Sequence, residues 1–452
     1  MNETTEFEII DGCLIRYTGN GPHAKLPAGV TRIGESAFLA CEELRSVSVP
    51  DGVTEIEKDA FADCVNLEQI LLPDSIHRIG ENAFHSCSSL RIIRLPSDLT
   101  ELGSKAFACC TALETIRIPG SIAVIPNECF IGCDALWEVI LEPGITAIKD
   151  FAFADNPSLL HLELADTVTD IGPYAFQNGK SLKEVSFSKH LNAIRTYAFY
   201  GCEELENVFF PEGLETIDPW AFSDCRKLRD FVLPSTLQTI GFRAFAGCES
   251  ITAVHLPDRV AVLDGAVFDE CTNLRDVTLP CGITELRRLN FADCTSLKRI
   301  VVPSGVAALG EGVFRGCDHL LEVVLPEGLQ SIGDRAFEGC EALAGLEMPD
   351  TVTAIGARAF YHCSSLASVM IPKDVFRIEE STFEGCGHLA DIRLPENLGF
   401  IDDRAFFGCG QLIHLNMPEG IRYICKDVFT GCDRLEKLQI PETIEFNGSP
   451  QE

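Results

Sequence analysis

A repeat solenoid lined on one side by short parallel strands is predicted by three features of this 452-residue chain. Phenylalanine recurs at 38, 61, 84 and every 23rd position through 429, eighteen times with no insertion or deletion. Each copy carries a short alternating apolar run closed by a proline or its substitute, as in Leu44, Val47, Val49 and Pro50. Each also carries a turn followed by an Ala-Phe-like pair, as in Asp51-Gly52 and Ala60-Phe61. A fixed short period outweighs the several domains that length alone would suggest, because stacked repeats share one continuous core.

The elements follow in chain order. In "FEIIDGCLIRY", Asp11-Gly12 stands between two apolar runs, the pattern of a β-hairpin, and residues 1–25 are read as a hairpin cap. Residues 26–441 hold the eighteen repeats. Within a repeat, Leu44, Val47 and Val49 share one face of a strand while Ser46 and Ser48 face the other way. Pro50 ends the strand because it cannot donate the next ladder bond. Asp51-Gly52 then turns the chain, with the aspartate expected to bond its own backbone. Val53 and Ile56 point inward on an irregular side, and a short helical or 3₁₀ turn is expected near Ala60-Phe61. Roughly eight side chains per coil reach the interior, too few for a coil to fold alone, so stability must come from neighbouring coils. The tail 442–452 lacks an amphipathic helix over the last coil, and weak homo-association through that open end, near Ile444, is expected.

Counting from each phenylalanine as zero, sixteen of the 21 cysteines stand at offset 3, from Cys41 to Cys432, with Asn156 and Gly179 as the interruptions. No C-x-x-C pair occurs, so the column is not read as a metal site. Disulfides would require parallel inward side chains to rotate toward one another. A ladder of small buried thiols donating weakly to turn carbonyls is the preferred reading, and it suits a reducing compartment.

The 36 Lys and Arg against 68 Asp and Glu give a net charge of −32, which opposes a phosphate-binding surface and argues against nucleic acid as a partner. No apolar run is long enough to insert in a membrane. The first nineteen residues are acidic where a secretory signal is basic, so the cytoplasm is the expected location, with cell surface or secretion as the alternative. No G-x-S-x-G, H-E-x-x-H, Walker or G-x-G-x-x-G motif is present; catalytic residues and cofactors are therefore expected to be none. His161, His255 and His414 fall on outward positions of separated coils.

The informative departure lies on the outward strand positions, where a solvated face should be polar. Offset 10 carries Phe209, Val232, Val301, Val324 and Met370, with Leu71 and Ile140 earlier; offset 7 adds Trp137, Leu160, Leu321 and Ile413. An apolar lane exposed on a strand face marks a partner site, although β-propensity alone also favours such residues. Coils seven to thirteen are the expected contact region, with Arg94, Arg117, Arg393 and Lys437 as flanking polar groups. Trp220 is expected to pack on the opposite, turn-bearing side. Between 142 and 190 the consensus weakens while its spacing holds, which marks a zone of altered bend or specialised contact.

The unit "LPxxVTxIGxxAFxxCxxLxxVxxP" resembles the 23-residue repeat of BspA-like leucine-rich repeat proteins, over residues 26–441. The resemblance implies a leucine-rich-repeat horseshoe or superhelix with a parallel strand-lined concave face. It also implies a bacterial or protist source and a role in adhesion or protein binding. The reading is a non-enzymatic scaffold that binds a protein or peptide through its strand face, with a self-associating, adhesin-like surface protein as the alternative.

Overall fold

Most coils contain two short parallel strands, because two stretches of the repeat alternate apolar and polar residues and the rest does not; the segments around Ile92, Val232 and Gly345 form no regular strand. A computed structural model describes residues 6–439 of the chain. It falls into two compact units, Met1–Leu228 and Arg229–Glu452, each a solenoid of stacked coils.

The first unit opens with β1 (Phe7–Ile10) and β2 (Cys13–Tyr17), an antiparallel hairpin turning at Asp11 and Gly12. Cys13 and Leu14 of β2 then pair in parallel with Arg32 and Ile33 of the first coil. Aromatic stacking continues across this joint: Phe7 lies 5.3 Å from Tyr17, and Tyr17 4.9 Å from Phe38. The hairpin thus covers the first coil with an aromatic ring of the kind that every later coil supplies.

The three-residue strand Ser46–Ser48 pairs in parallel with Gln69–Leu71, Val47 facing Ile70. In the second unit Arg299–Val301 pairs in the same way with Glu322–Val324. Leu44, Val47 and Val49 are buried, as their spacing predicts. The intervening side, expected to be irregular, contains a second ladder of two-residue strands. Arg32–Ile33, Glu55–Ile56, Arg78–Ile79 and Glu101–Leu102 pair in succession, with Ile33, Ile56 and Ile79 inward.

The helical or 3₁₀ turn expected at the Ala-Phe pair is not formed; no helix is present among the described residues. Overlapping β-turns replace it. The N–H groups of Ala37, Leu39 and Cys41 donate to carbonyls three residues back, at Gly34, Ser36 and Phe38. The alternating N–H groups of Ser36, Phe38 and Ala40 donate to Lys58, Ala60 and Ala62 of the next coil. Left-handed residues at Ser36 and Ala40, with φ of 56° and 54°, interrupt the helical sense and make this division possible. The second of these positions recurs in left-handed conformation as Asp63, Asn178, Gly201 and Gly247, residue types that tolerate it best. The turn after the strand also differs in detail from expectation. It is closed by the Pro50 carbonyl, which accepts from Val53 N–H at 3.4 Å, instead of by the Asp51 side chain.

The repeated phenylalanines form the core. Phe84, Phe107, Phe130 and Phe153 are fully buried and stack face to face with centroids 5.2–5.3 Å apart and planes within 5°. In the second unit Phe337, Phe360 and Phe383 repeat this geometry at 5.3 Å. The cysteine column runs alongside. The thiol of Cys64 donates to the Phe38 carbonyl at 3.0 Å, Cys110 to Phe84 at 3.2 Å and Cys294 to Phe268 at 3.2 Å. Each of these carbonyls also accepts from the N–H three residues further on, so the thiol serves as its second donor.

Burial pushes the buried thiols of the column up, Cys202 to about 12, so they remain protonated. Cys109 and Cys281 are exposed. Cys41 is half-buried and held below the usual thiol range by a hydrogen bond from Cys64, with Arg16 adding to the effect against its own burial. A chromogenic disulfide reagent added to native protein at neutral pH is therefore expected to react at Cys41 and the exposed Cys281, and more slowly at Cys109, whose thiol is pushed up by partial burial and by Asp134. The fully buried thiols of the column should react only on unfolding. Rapid native labelling of Cys294 would show that the column is open to solvent.

Candidate binding surface on the strand face

In the second unit the most coherent apolar patch joins two adjacent coils. Val301 and Val324 are register partners, 44% and 39% exposed, and Leu321 at 58% lies on the same coil as Val324. Beside them Arg299 and Glu322 form an ion pair at 2.9 Å that borders the patch with charge. Met370, also exposed, stands opposite Arg393 in register. Val232 is the most exposed of these residues, at 84%, on a segment that forms no regular strand. Ile413 is half-buried.

In the first unit Phe209 is exposed beside its register partner Ser186. Leu71 is exposed at the end of its strand. Trp137 is exposed and meets His161 edge-on at 6.2 Å. Leu160 departs from the exposed lane: it is half-buried and lines a hollow between coils, as does Ile140. The sequence reading missed Ile92, which is 61% exposed at offset 8 in an isolated bridge to Thr115. Its neighbours Gln69 and Thr115 at the same register are polar, so a survey of that third outward position would have found it. Of the flanking cations, Arg94 reaches Asp74 at 3.0 Å and Arg117 reaches Glu142 at 3.4 Å. Ile444 and the tail lie outside the described residues.

The opposite side of the first unit carries an aromatic ladder. Phe151, Tyr174, Tyr197 and Trp220 stack in sequence with centroids 4.4, 4.8 and 5.5 Å apart and planes within 9°. All four are half-buried and in left-handed conformation, with φ of 57–61°. That backbone costs about 1–2 kcal/mol for each such residue, and ring stacking at about 0.5–1.5 kcal/mol per pair offsets part of it. Trp220 lies on the turn side, as its sequence position predicts, but as a member of a stack that four aromatics at repeat spacing could have announced.

In the second unit Asp269 is buried and meets Arg243 at 2.6 Å. Burial dominates over that partner and raises its carboxyl to about 6. Asn290, in the alanine position of its repeat, is buried beside the same turns and accepts from Val267 N–H.

Parallel coils at a fixed repeat, an aromatic and thiol core and a strand-lined surface define a solenoid of the leucine-rich-repeat type. The chain belongs to the BspA type leucine rich repeat family, whose model matches residues 15–137, 102–229, 224–344 and 330–449. Among solved structures it is similar to a leucine-rich repeat protein from Bacteroides ovatus, 24% identical over 96% of this chain and 94% of that one, with a TM-score of 0.50. It is also similar to a leucine rich cell surface protein from Faecalibacterium prausnitzii, 26% identical over 76% of this chain and 89% of that one, with a TM-score of 0.46. No curated protein matches the chain. No helix among the described residues is long and apolar enough to cross a membrane.

Proposed function

We propose that this protein is a non-enzymatic scaffold that binds a protein or peptide through its strand face. The observation that carries the reading is the patch of Val301, Val324 and Leu321, apolar and exposed at outward positions where a solvated sheet would be polar. Neighbouring coils hold these side chains in register, so they present a pre-ordered surface and little ordering entropy is lost on binding. The protonated thiol column fits work in a reducing compartment, where the free thiols persist.

The test is affinity capture with the native chain and with Val324→Glu, followed by identification of the retained protein. The variant is expected to lose the partner while keeping its urea midpoint, because the side chain already faces solvent. Equal capture by both proteins would refute the strand-face reading.

A further inference from the structure

The hollow lined by Leu160 in the first unit has a chemistry of its own. About 410 Å³ in volume, it lies among the strands Glu138–Leu141, His161–Glu163 and Glu184–Ser186. The hydrogen-bonded ladder that runs from Thr115–Ile118 through Glu138–Leu141 stops at His161–Glu163; Glu184–Ser186 pairs onward with Asn207–Phe209 instead. Where the ladder stops the core is open: Leu162 is half-buried, while Val139 and Val185 at the same register are 0% and 1% exposed. The Trp137 carbonyl accepts bonds from the Leu160 and His161 N–H groups, and the Lys183 carbonyl from those of Glu206 and Asn207. The Leu160 carbonyl, between them in the stack, accepts neither of the equivalent bonds from the next coil.

Several acids on this face are matched by an arginine one coil away, as in Arg45 with Glu68, Arg91 with Glu114 and Arg299 with Glu322. Glu138, Glu163 and Glu184 line the hollow, and none forms an ion pair among the described residues. Even with the neighbouring Lys183 counted, the rim keeps a net negative charge beside apolar walls of Ile140, Leu160 and Leu162. A carboxylate next to such walls attracts a cation more strongly than one in open water.

We propose that this hollow receives the side chain of an arginine or lysine carried by an extended segment of a protein partner. The apolar stem lies on Leu160 and Leu162, and the cationic head donates to the three carboxylates and the Leu160 carbonyl. The proposal rests on the strand face being the binding surface and names the chemistry of one part of it.

The test uses the full chain and a short fluorescein-labelled peptide of alternating threonine and valine with one central arginine, read by fluorescence anisotropy. A second peptide carries glutamine at the centre. Saturable binding of the arginine peptide alone is expected. Glu163→Gln with Glu184→Gln should weaken it by about tenfold or more, about 1.4 kcal/mol. The pair Glu396→Gln and Glu419→Gln removes the same charge from exposed positions of the second unit and should leave affinity within about twofold. No saturable binding, equal binding of the glutamine peptide, or equal weakening by the two variant pairs would overturn the proposal. Loss of captured partner in Val324→Glu, together with a silent arginine peptide, would discard the hollow and leave the strand face standing. The opposite pattern would keep the hollow and discard the apolar patch.

Discussion

Replacing Phe130 by alanine is expected to destabilise the first unit by about 3–5 kcal/mol, the range for removing a fully buried aromatic side chain. Phe130 is 0% exposed and stacks at 5.3 Å on Phe107 and 5.2 Å on Phe153, so its loss opens a cavity bounded by two rings that the stacked backbone holds apart. The coils cannot close around it, because inter-coil bonds such as Phe130 N–H to the Ala152 carbonyl at 2.8 Å hold their spacing. In a solenoid the damage concentrates in the neighbouring coils. Urea unfolding should therefore shift markedly, and hydrogen exchange should accelerate first in the coils of Phe107 and Phe153. Ile92→Ser, at an exposed position, should change stability by no more than about 0.5 kcal/mol. Equal effects from the two changes would mean that the phenylalanine column is not the core.

Asn156→Ala is expected to cost about 2–3 kcal/mol, whereas Asn156→Cys should cost less than about 1 kcal/mol. Asn156 is fully buried in the cysteine column. Its Oδ1 accepts from Cys133 N–H at 2.7 Å, and its Nδ2 donates to the Phe130 and Phe153 carbonyls at 3.0 and 3.1 Å. In other coils the corresponding backbone bond is direct, as from Cys110 N–H to the Phe107 carbonyl at 3.3 Å, and a thiol serves the other carbonyl. The amide therefore bridges groups that alanine would leave buried and unpaired, while cysteine would restore the pattern of the rest of the column. Thermal unfolding of the two variants side by side decides the matter. A harmless Asn156→Ala would show that the amide bonds contribute nothing net.

Much of this architecture was legible because each residue type has one task per coil. The inward places of Leu44, Val47 and Phe38 follow from alternation and spacing, and the column of Cys64 and Cys110 follows from small volume at a turn. The turns at the Ala-Phe pair were less legible. Ser36 and Ala40 are not residues whose identity demands positive φ, and a helical turn suits "SAFLA" equally well on propensity. The left-handed backbone is selected by bonds to the next coil, which a single repeat does not contain. The second ladder at Glu55–Ile56 escaped for the same reason, since two residues are too few to show a period.

The same division governs the surface. Which positions face outward was readable in the sequence, so Phe209, Val301, Val324, Leu321, Met370 and Trp137 could be named from it. How far each is covered was not: Leu160 sinks into a hollow while Ile92 stands free. By itself, then, the sequence determined that coils stack in register and what fills them, because an unbroken period forces like residues together. The tertiary structure alone decided where a strand ladder opens, which carboxylates lack a cation and which apolar side chains remain exposed. Those depend on small differences in spacing between successive coils, and a periodic pattern carries no record of them.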